Sequence, residues 1–154
     1  MSRKAIYPGS FNPFTNGHLD MVRKGAELFD EVVVIIGANS EKTRGFAADT
    51  MKSAIEQVFR DEGLANCSVV ILDGLVAEYA HEIGARYMIR GLRNNLDYYY
   101  EENIAEINKL INPDLEYVYF RAEKAAISSS MVRELLAYGH DVSAYLPKAV
   151  VDCL

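Results

Sequence analysis

Ser10, His18, Lys42, Arg44, Arg90, Arg93 and the run Ser128-Ser129-Ser130 are residues of this 154-residue chain whose types and spacing suit phosphate chemistry. His18 closes the string Tyr7-Pro8-Gly9-Ser10-Phe11-Asn12-Pro13-Phe14-Thr15-Asn16-Gly17-His18. That string follows a short apolar run, Ala5-Ile6-Tyr7, and precedes an amphipathic segment. Gly/Pro/Ser turn chemistry between a strand and a helix builds a loop lined with backbone donors. The first N–H groups of the helix lack partners and sit at its positive dipole end, so they attract anions. Gly17 beside His18 lets a ligand approach closely. The pattern reads as a phosphate site with an imidazole in it.

Arg90 and Arg93 flank Gly91 directly after an apolar run, where guanidinium forks can grip phosphate bidentately. Ser128, Ser129 and Ser130 read as a helix N-cap, and hydroxyls beyond the one capping needs also make a seat for a triphosphate. Lys42 and Arg44 share a polar loop, either functional or simply solvated. Glu101 either holds a ribose hydroxyl or favours the first turn of its helix. In Tyr98-Tyr99-Tyr100, two rings are expected in core or subunit-interface packing. His81 and His140 read as surface residues. Walker A, G-x-G-x-x-G and H-E-x-x-H patterns are absent, so a metal is expected to arrive with the nucleotide rather than in a protein cage.

The elements that must position these groups alternate between strand-like and helix-like runs. Strands are expected at Ala5–Tyr7, Val32–Ile36, Ser68–Leu72, Tyr87–Ile89 and Glu116–Phe120. Helical spacing marks Leu19, Val22, Ala26 and Phe29, then Met51, Ile55, Val58 and Phe59, then Leu75–Ile83. The longest helix is expected over Asp97–Ile111, with Ile104, Ile107 and Ile111 inward and Pro113 enforcing its end. A last helix starts at Ser128–Ser130 and stops at Gly139. Such alternation implies an α/β fold with a parallel five-stranded sheet and helices on both faces, its ligands beyond the C-terminal strand ends. One domain over 1–154 is expected, since no linker, repeat or low-complexity stretch interrupts it.

Composition narrows the function classes. Half the residues are hydrophobic, enough for a packed core. A net charge of −6 argues against nonspecific binding to nucleic acid or to an anionic membrane. The longest apolar run, Val32–Ile36, is too short to cross a bilayer, and Ser2-Arg3-Lys4 leads into a strand rather than a secretory leader. Cys67 and Cys153 have no C-x-x-C spacing, so neither a disulfide nor a metal site is expected. A cytoplasmic protein is the expectation.

Four ordered blocks, Tyr7–His18, the Lys42 loop, Ile89–Glu101 and Ile127–Arg133, resemble the bacterial phosphopantetheine adenylyltransferases over nearly the whole chain. These belong to the nucleotidyltransferases with an (H/T)-x-G-H motif. The resemblance implies a Rossmann-like, typically hexameric enzyme that moves AMP from ATP, with Mg²⁺, to 4′-phosphopantetheine. The products are dephospho-coenzyme A and pyrophosphate, the penultimate step of coenzyme A synthesis, with coenzyme A as a feedback ligand. By matching motif, His18 would bind ATP and stabilise the transition state, with Lys42 and Arg93 as further catalytic groups. Ser10, Phe11, Gly91, Leu92, Arg93, Glu101 and Lys124, Ala125, Ala126, Ile127, Ser128, Ser129, Ser130 would form the ATP site. Ser10, Lys42, Val76 and Arg90 would hold the phosphopantetheine. Asn12 stands where the family usually has aspartate, and Thr50-Met51 replaces a common Glu-Arg pair. The loop before Ile127 is shorter and lacks an aromatic, so adenine contacts in Ala122–Ala126 are the least secure transfer. A related nucleotidyltransferase with another acceptor, or a nucleotide or coenzyme A sensor without turnover, are the competing readings.

Overall fold

The run Val32–Ile36 can be apolar at every position because it is covered on both sides. Val32, Val34 and Ile36 point into one core and Val33 and Ile35 into the other. The computed structural model describes residues 2–38, 44–124 and 126–154. Its strands are β1 (Lys4–Gly9), β2 (Glu31–Gly37), β3 (Cys67–Leu72), β4 (Tyr87–Leu92) and β5 (Glu116–Arg121). Its helices are α1 (Asn16–Leu28), α2 (Ala48–Glu62), α3 (Val76–Ile83), α4 (Asn95–Ile111), α5 (Ser129–Ala137) and the short α6 (Lys148–Val151).

All pairings are parallel, in the order β3-β2-β1-β4-β5. The chain builds outward from β1 to β3, then returns to the other side of β1 for β4 and β5. Strand order therefore reverses between β1 and β4, and the loops leaving their C-terminal ends diverge there into a crevice. This is the Rossmann-like α/β fold the sequence implied. Side chains of α1, α2, α5 and α6 pack with Tyr7, Val34 and Ile89 on one face. On the other, Ala77 and Ala80 of α3 pack with Ile6, Ile35 and Met88.

Two local expectations are corrected. β4 does not end at Ile89 but runs on through Arg90, Gly91 and Leu92, which pair with Tyr119, Phe120 and Arg121. Arg90 is tolerated within the sheet because its guanidinium donates to the Glu101 carboxylate and to Pro8 O. The second correction concerns α4. Ile104 is half-buried, but Ile107 and Ile111 are 59% and 40% exposed, and Glu101 is the buried residue of this helix. The sheet beneath α4 is polar: Asn108 donates to the Tyr117 hydroxyl at 2.7 Å, and the Tyr119 hydroxyl donates to Glu102 at 2.6 Å. A stripe of Glu101, Ala105 and Asn108 faces it, and that rotation turns Ile107, Leu110 and Ile111 outward. Tyr98, Tyr99 and Tyr100 are exposed too, so none of the three rings is a core residue. Asn112, which caps the helix, is buried and donates to Ala77 O at 3.0 Å.

The close fit of α1 on the sheet sets a stability test. A Cβ at Gly25 would lie 2.6 Å from Ile89 Cδ1 and 3.3 Å from a Val32 methyl, in a fully buried part of the core. Gly25→Ala should lower unfolding stability by about 1–3 kcal/mol, the usual cost of overpacking, despite the better helix propensity of alanine. Urea denaturation checks this, and Ile89→Val should recover part of the loss.

Candidate active site

The β1–α1 loop turns on Phe11, which has φ 45°, a left-handed conformation that costs an L-residue about 1–2 kcal/mol. Its ring is 2% exposed, stacks edge-on against Tyr7 at 5.3 Å and His18 at 4.9 Å, and lies against Phe14. Burial of that ring offsets the strain. Thr15 then caps α1 by reciprocal bonds. Its hydroxyl accepts from His18 N–H at 3.3 Å, and its own N–H donates to His18 Nδ1 at 2.9 Å. An imidazole here fills the place that Glu or Gln takes in the usual capping box.

That second bond fixes the proton. Nδ1 accepts, so in the neutral ring the hydrogen is on Nε2, which has no hydrogen-bond partner among the described residues and can donate. Burial, and next the Arg90 charge, pull the imidazole pKa down from 6.5 to about 4. His18 is therefore a neutral, oriented hydrogen-bond donor at pH 7.

Arg90 lines the same cavity as His18. Nε and Nη2 donate to the two carboxylate oxygens of Glu101 at 3.0 and 2.9 Å, and Nη1 donates to Pro8 O at 2.7 Å. Burial works against this charge, but the Glu101 carboxylate more than offsets it. Arg93 is more exposed and forks onto Asp97, with Nε to Oδ2 at 3.0 Å and Nη2 to Oδ1 at 3.3 Å. That fork holds the Asp97 carboxyl below the usual carboxylate range. The three serines divide the work. Ser128 caps α5 by accepting from Met131 N–H at 3.1 Å, Ser129 donates to Pro13 O at 2.7 Å, and the exposed Ser130 lies 3.3 Å from the Ser128 hydroxyl.

Two cavities meet at this point. One, of about 440 Å³, is lined by Ser10, Phe11, His18, Gly91 and Arg93 and by Lys124, Ile127 and the three serines. The N-termini of α1 and α5 both open onto it. Among the described lining residues, Arg90, Arg93, Lys124 and Arg133 stand with one carboxylate, Asp20, and although Glu101 and Asp97 pair two of these cations from outside the wall, the lining itself is cationic in an acidic chain. The other cavity, of about 520 Å³, is lined by Ser10, Arg90 and Val76 with Gly37, Arg44 and Arg133. Ser10 and Arg90 belong to both. The arrangement suits two anionic ligands brought together end to end.

Other expected site residues stand elsewhere. Glu101 lies behind Arg90 as its partner rather than on the cavity wall. Leu92 is in β4, its carbonyl taken by Ala122 N–H at 2.9 Å. Ala126 is exposed on the turn before Ile127. Lys42 and Ala125 lie outside the described residues. Thr15, Asp20 and Arg133 were not expected. Thr15 and His18 stand at the capping-box spacing, and Arg133 lies four residues after Ser129, hence on the same face of α5. No spacing flags Asp20; one of its oxygens is buried without a hydrogen bond among the described residues, 3.6 Å from Lys24 Nζ.

Residues 6–135 match the cytidylyltransferase-like family. A protein named phosphopantetheine adenylyltransferase from Cytophaga hutchinsonii is 46% identical over 149 residues, covering 96% of this chain and 98% of that protein. One of the same name from Lachnoclostridium phytofermentans is 39% identical, covering 97% and 91%. A crystal structure from Vibrio parahaemolyticus, provisionally described as a nicotinate-nucleotide adenylyltransferase, superposes with a TM-score of 0.75 at 19% identity. The match covers 100% of this chain and 92% of that one. At that identity the superposition speaks for the fold alone.

The state of His18 is open to measurement. Its imidazole NMR resonances, assigned by their loss in His18→Gln, should titrate near pH 4 in the free protein. The sign for stability follows. A folded pKa below the unfolded 6.5 leaves stability intact above pH 6.5 and removes it as pH falls toward 4. Wild-type protein should therefore lose more stability than His18→Gln across that window. A midpoint at or above 6.5 would rule out the neutral donor.

Proposed function

The chain belongs to the phosphopantetheine adenylyltransferase family, and from that premise we propose that it transfers AMP from ATP to 4′-phosphopantetheine, releasing pyrophosphate and dephospho-coenzyme A. The observation that carries the reading is the junction of the two cavities at Ser10 and Arg90, with His18 on the wall of the first. ATP takes the cavity between the starts of α1 and α5, and phosphopantetheine takes the cavity toward Val76. Their phosphates then meet at the junction.

The chemistry asks little of the protein beyond charge and geometry. The acceptor is a phosphate monoester, largely dianionic at neutral pH with a second pKa of about 6, so no protein nucleophile and no obligatory base are needed. Its oxygen attacks the α-phosphorus in line, the bond to the bridging oxygen breaks, and pyrophosphate carries away that electron pair. The main obstacle is the meeting of two polyanions, which preorganised donors lower. His18 Nε2–H donates to the α-phosphoryl oxygens as charge develops. Ser10 and Lys42 aim the acceptor phosphate, with Arg90 as a fixed positive charge. Arg93, Ser129 and Ser130 take the leaving pyrophosphate, Arg93 exchanging Asp97 for phosphate oxygens. Mg²⁺ enters as part of the nucleotide substrate and neutralises charge on its phosphates.

Further readings rest on the same site. Coenzyme A carries the same pantetheine arm as the acceptor, so it competes for the second cavity as a feedback ligand. A cytoplasmic location goes with the use of ATP as donor; among the described residues, no helix is long and apolar enough to cross a membrane. A homohexamer is supported by the outward row on α4, where Leu96, Tyr99, Ile107 and Leu110 are 79, 71, 59 and 84% exposed.

Pyrophosphate release should require ATP, Mg²⁺ and 4′-phosphopantetheine together, and His18→Ala should cut kcat by about 10² or more. Turnover with another acceptor alone, or tight ATP binding without release, would reject the reaction. A loss below tenfold in the variant would reject the role of His18. Light scattering after size exclusion should give six copies for the wild type and a smaller species for Leu110→Glu.

A further inference from the structure

Arg44 has no task in the reaction above, yet it grips the β1–α1 loop directly. Its Nη1 donates to Ser10 O at 2.7 Å, its Nη2 to Phe11 O at 3.2 Å, and its Nε to Phe46 O at 2.7 Å. Phe46 N–H in turn donates to Asn12 Oδ1 at 2.9 Å. From the α5 side, Arg133 Nη1 donates to Asn12 O at 2.6 Å and Ser129 to Pro13 O at 2.7 Å. Four successive carbonyls, from Ser10 to Pro13, are thus each engaged by a side chain.

The arrangement matters because carbonyl oxygens repel phosphate. One held by a guanidinium cannot swing toward an incoming anion, and the loop is left with its hydroxyl and N–H groups to offer. The strained φ of Phe11 adds a second requirement. A left-handed L-residue persists only where its surroundings over-determine it, and the two carbonyls Arg44 holds bracket that φ. Arg44 also lines the second cavity beside Ser10 and Arg90, so its charge lies where the acceptor enters.

We propose that Arg44 is a positioning residue for adenylyl transfer. By holding the carbonyls of Ser10 and Phe11 together, it fixes the loop that presents the Ser10 hydroxyl and carries His18 toward the reacting phosphates. This rests on the reading of Ser10 as a phosphate contact. Arg44 need not touch either substrate, and a lysine cannot replace it, because its three donors radiate from one nitrogen whereas the three carbonyls are met by three separate nitrogens of a planar fork.

Steady-state kinetics on Arg44→Ala, Arg44→Lys, Ser10→Ala and the Ser10→Ala/Arg44→Ala pair test this. Both Arg44 variants should lose about tenfold to hundredfold in kcat, the scale of a small misplacement of reacting groups, while KM for ATP moves by less than about threefold. The double variant should be little worse than the poorer single one, since both changes disable the same group. Three results overturn the proposal: Arg44→Ala at wild-type kcat while Ser10→Ala is impaired, full rescue by Arg44→Lys, or multiplicative losses in the pair. Should Ser10→Ala itself turn over normally, the phosphate role of Ser10 fails and the Arg44 proposal falls with it. If Arg44→Ala does not fold, Arg44→Lys with Ser10→Ala/Arg44→Lys gives the same comparison.

Discussion

The bidentate pair between Arg90 and Glu101 is the constraint on which the rest of this structure depends. A guanidinium inside a parallel sheet is costly unless its charge and its donors are met, and here one carboxylate and the Pro8 carbonyl meet them. The pair decides three things at once. It lets β4 continue past its apolar stretch to the edge of the crevice. It pins the first turns of α4 by a polar contact, so the helix rotates its isoleucines away from the sheet. It also fixes a positive charge whose field reaches the imidazole and, after burial, helps keep His18 neutral. Glu101 thus serves the site from behind, through the cation it holds.

Much of this was legible in the sequence because turn and cap chemistry is local. The string from Tyr7 to His18 announces a strand, a turn and a helix start by residue type alone, and Ser128 and Gly139 mark the ends of α5. The continuous run from Val32 to Ile36 announces a strand buried on both faces. Where reading by period failed, the cause lay in the partner surface. The 3.6-residue spacing of Ile104, Ile107 and Ile111 is real, but the sheet facing α4 presents Tyr117, Tyr119 and Arg90, which reward Glu101 and Asn108. A sequence shows which residues share a helix face, whereas the face that turns inward depends on strands before and after the helix. Arg90 eluded its strand for a related reason: a charged residue ends a strand on paper unless its counter-charge, eleven positions on, is known to fold back.

On the proposed reading, the site also shows how an acidic protein would recognise anions. Net charge describes the far field, while the crevice collects Arg90, Arg93, Lys124 and Arg133 with two helix starts into a small volume. Loops from three different strands contribute, so that local field exists only once the sheet is assembled. The same holds for the serines: their run is a simple cap in sequence, and the folded chain gives each a different partner.

The exchange of bonds between Thr15 and His18 has a consequence for how a bound phosphate would leave. An uncharged donor attracts an anion by its dipole, and that attraction fades with distance faster than the pull of a full charge. On the proposed reading, His18 acts within hydrogen-bond range of a crowded phosphorus and loosens its hold once product moves away. Had the ring been an imidazolium, the same position would have become an electrostatic trap, and escape from the crevice would have slowed. On that reading, by closing the first turn of α1 with its own side chain, the histidine would keep the exit open.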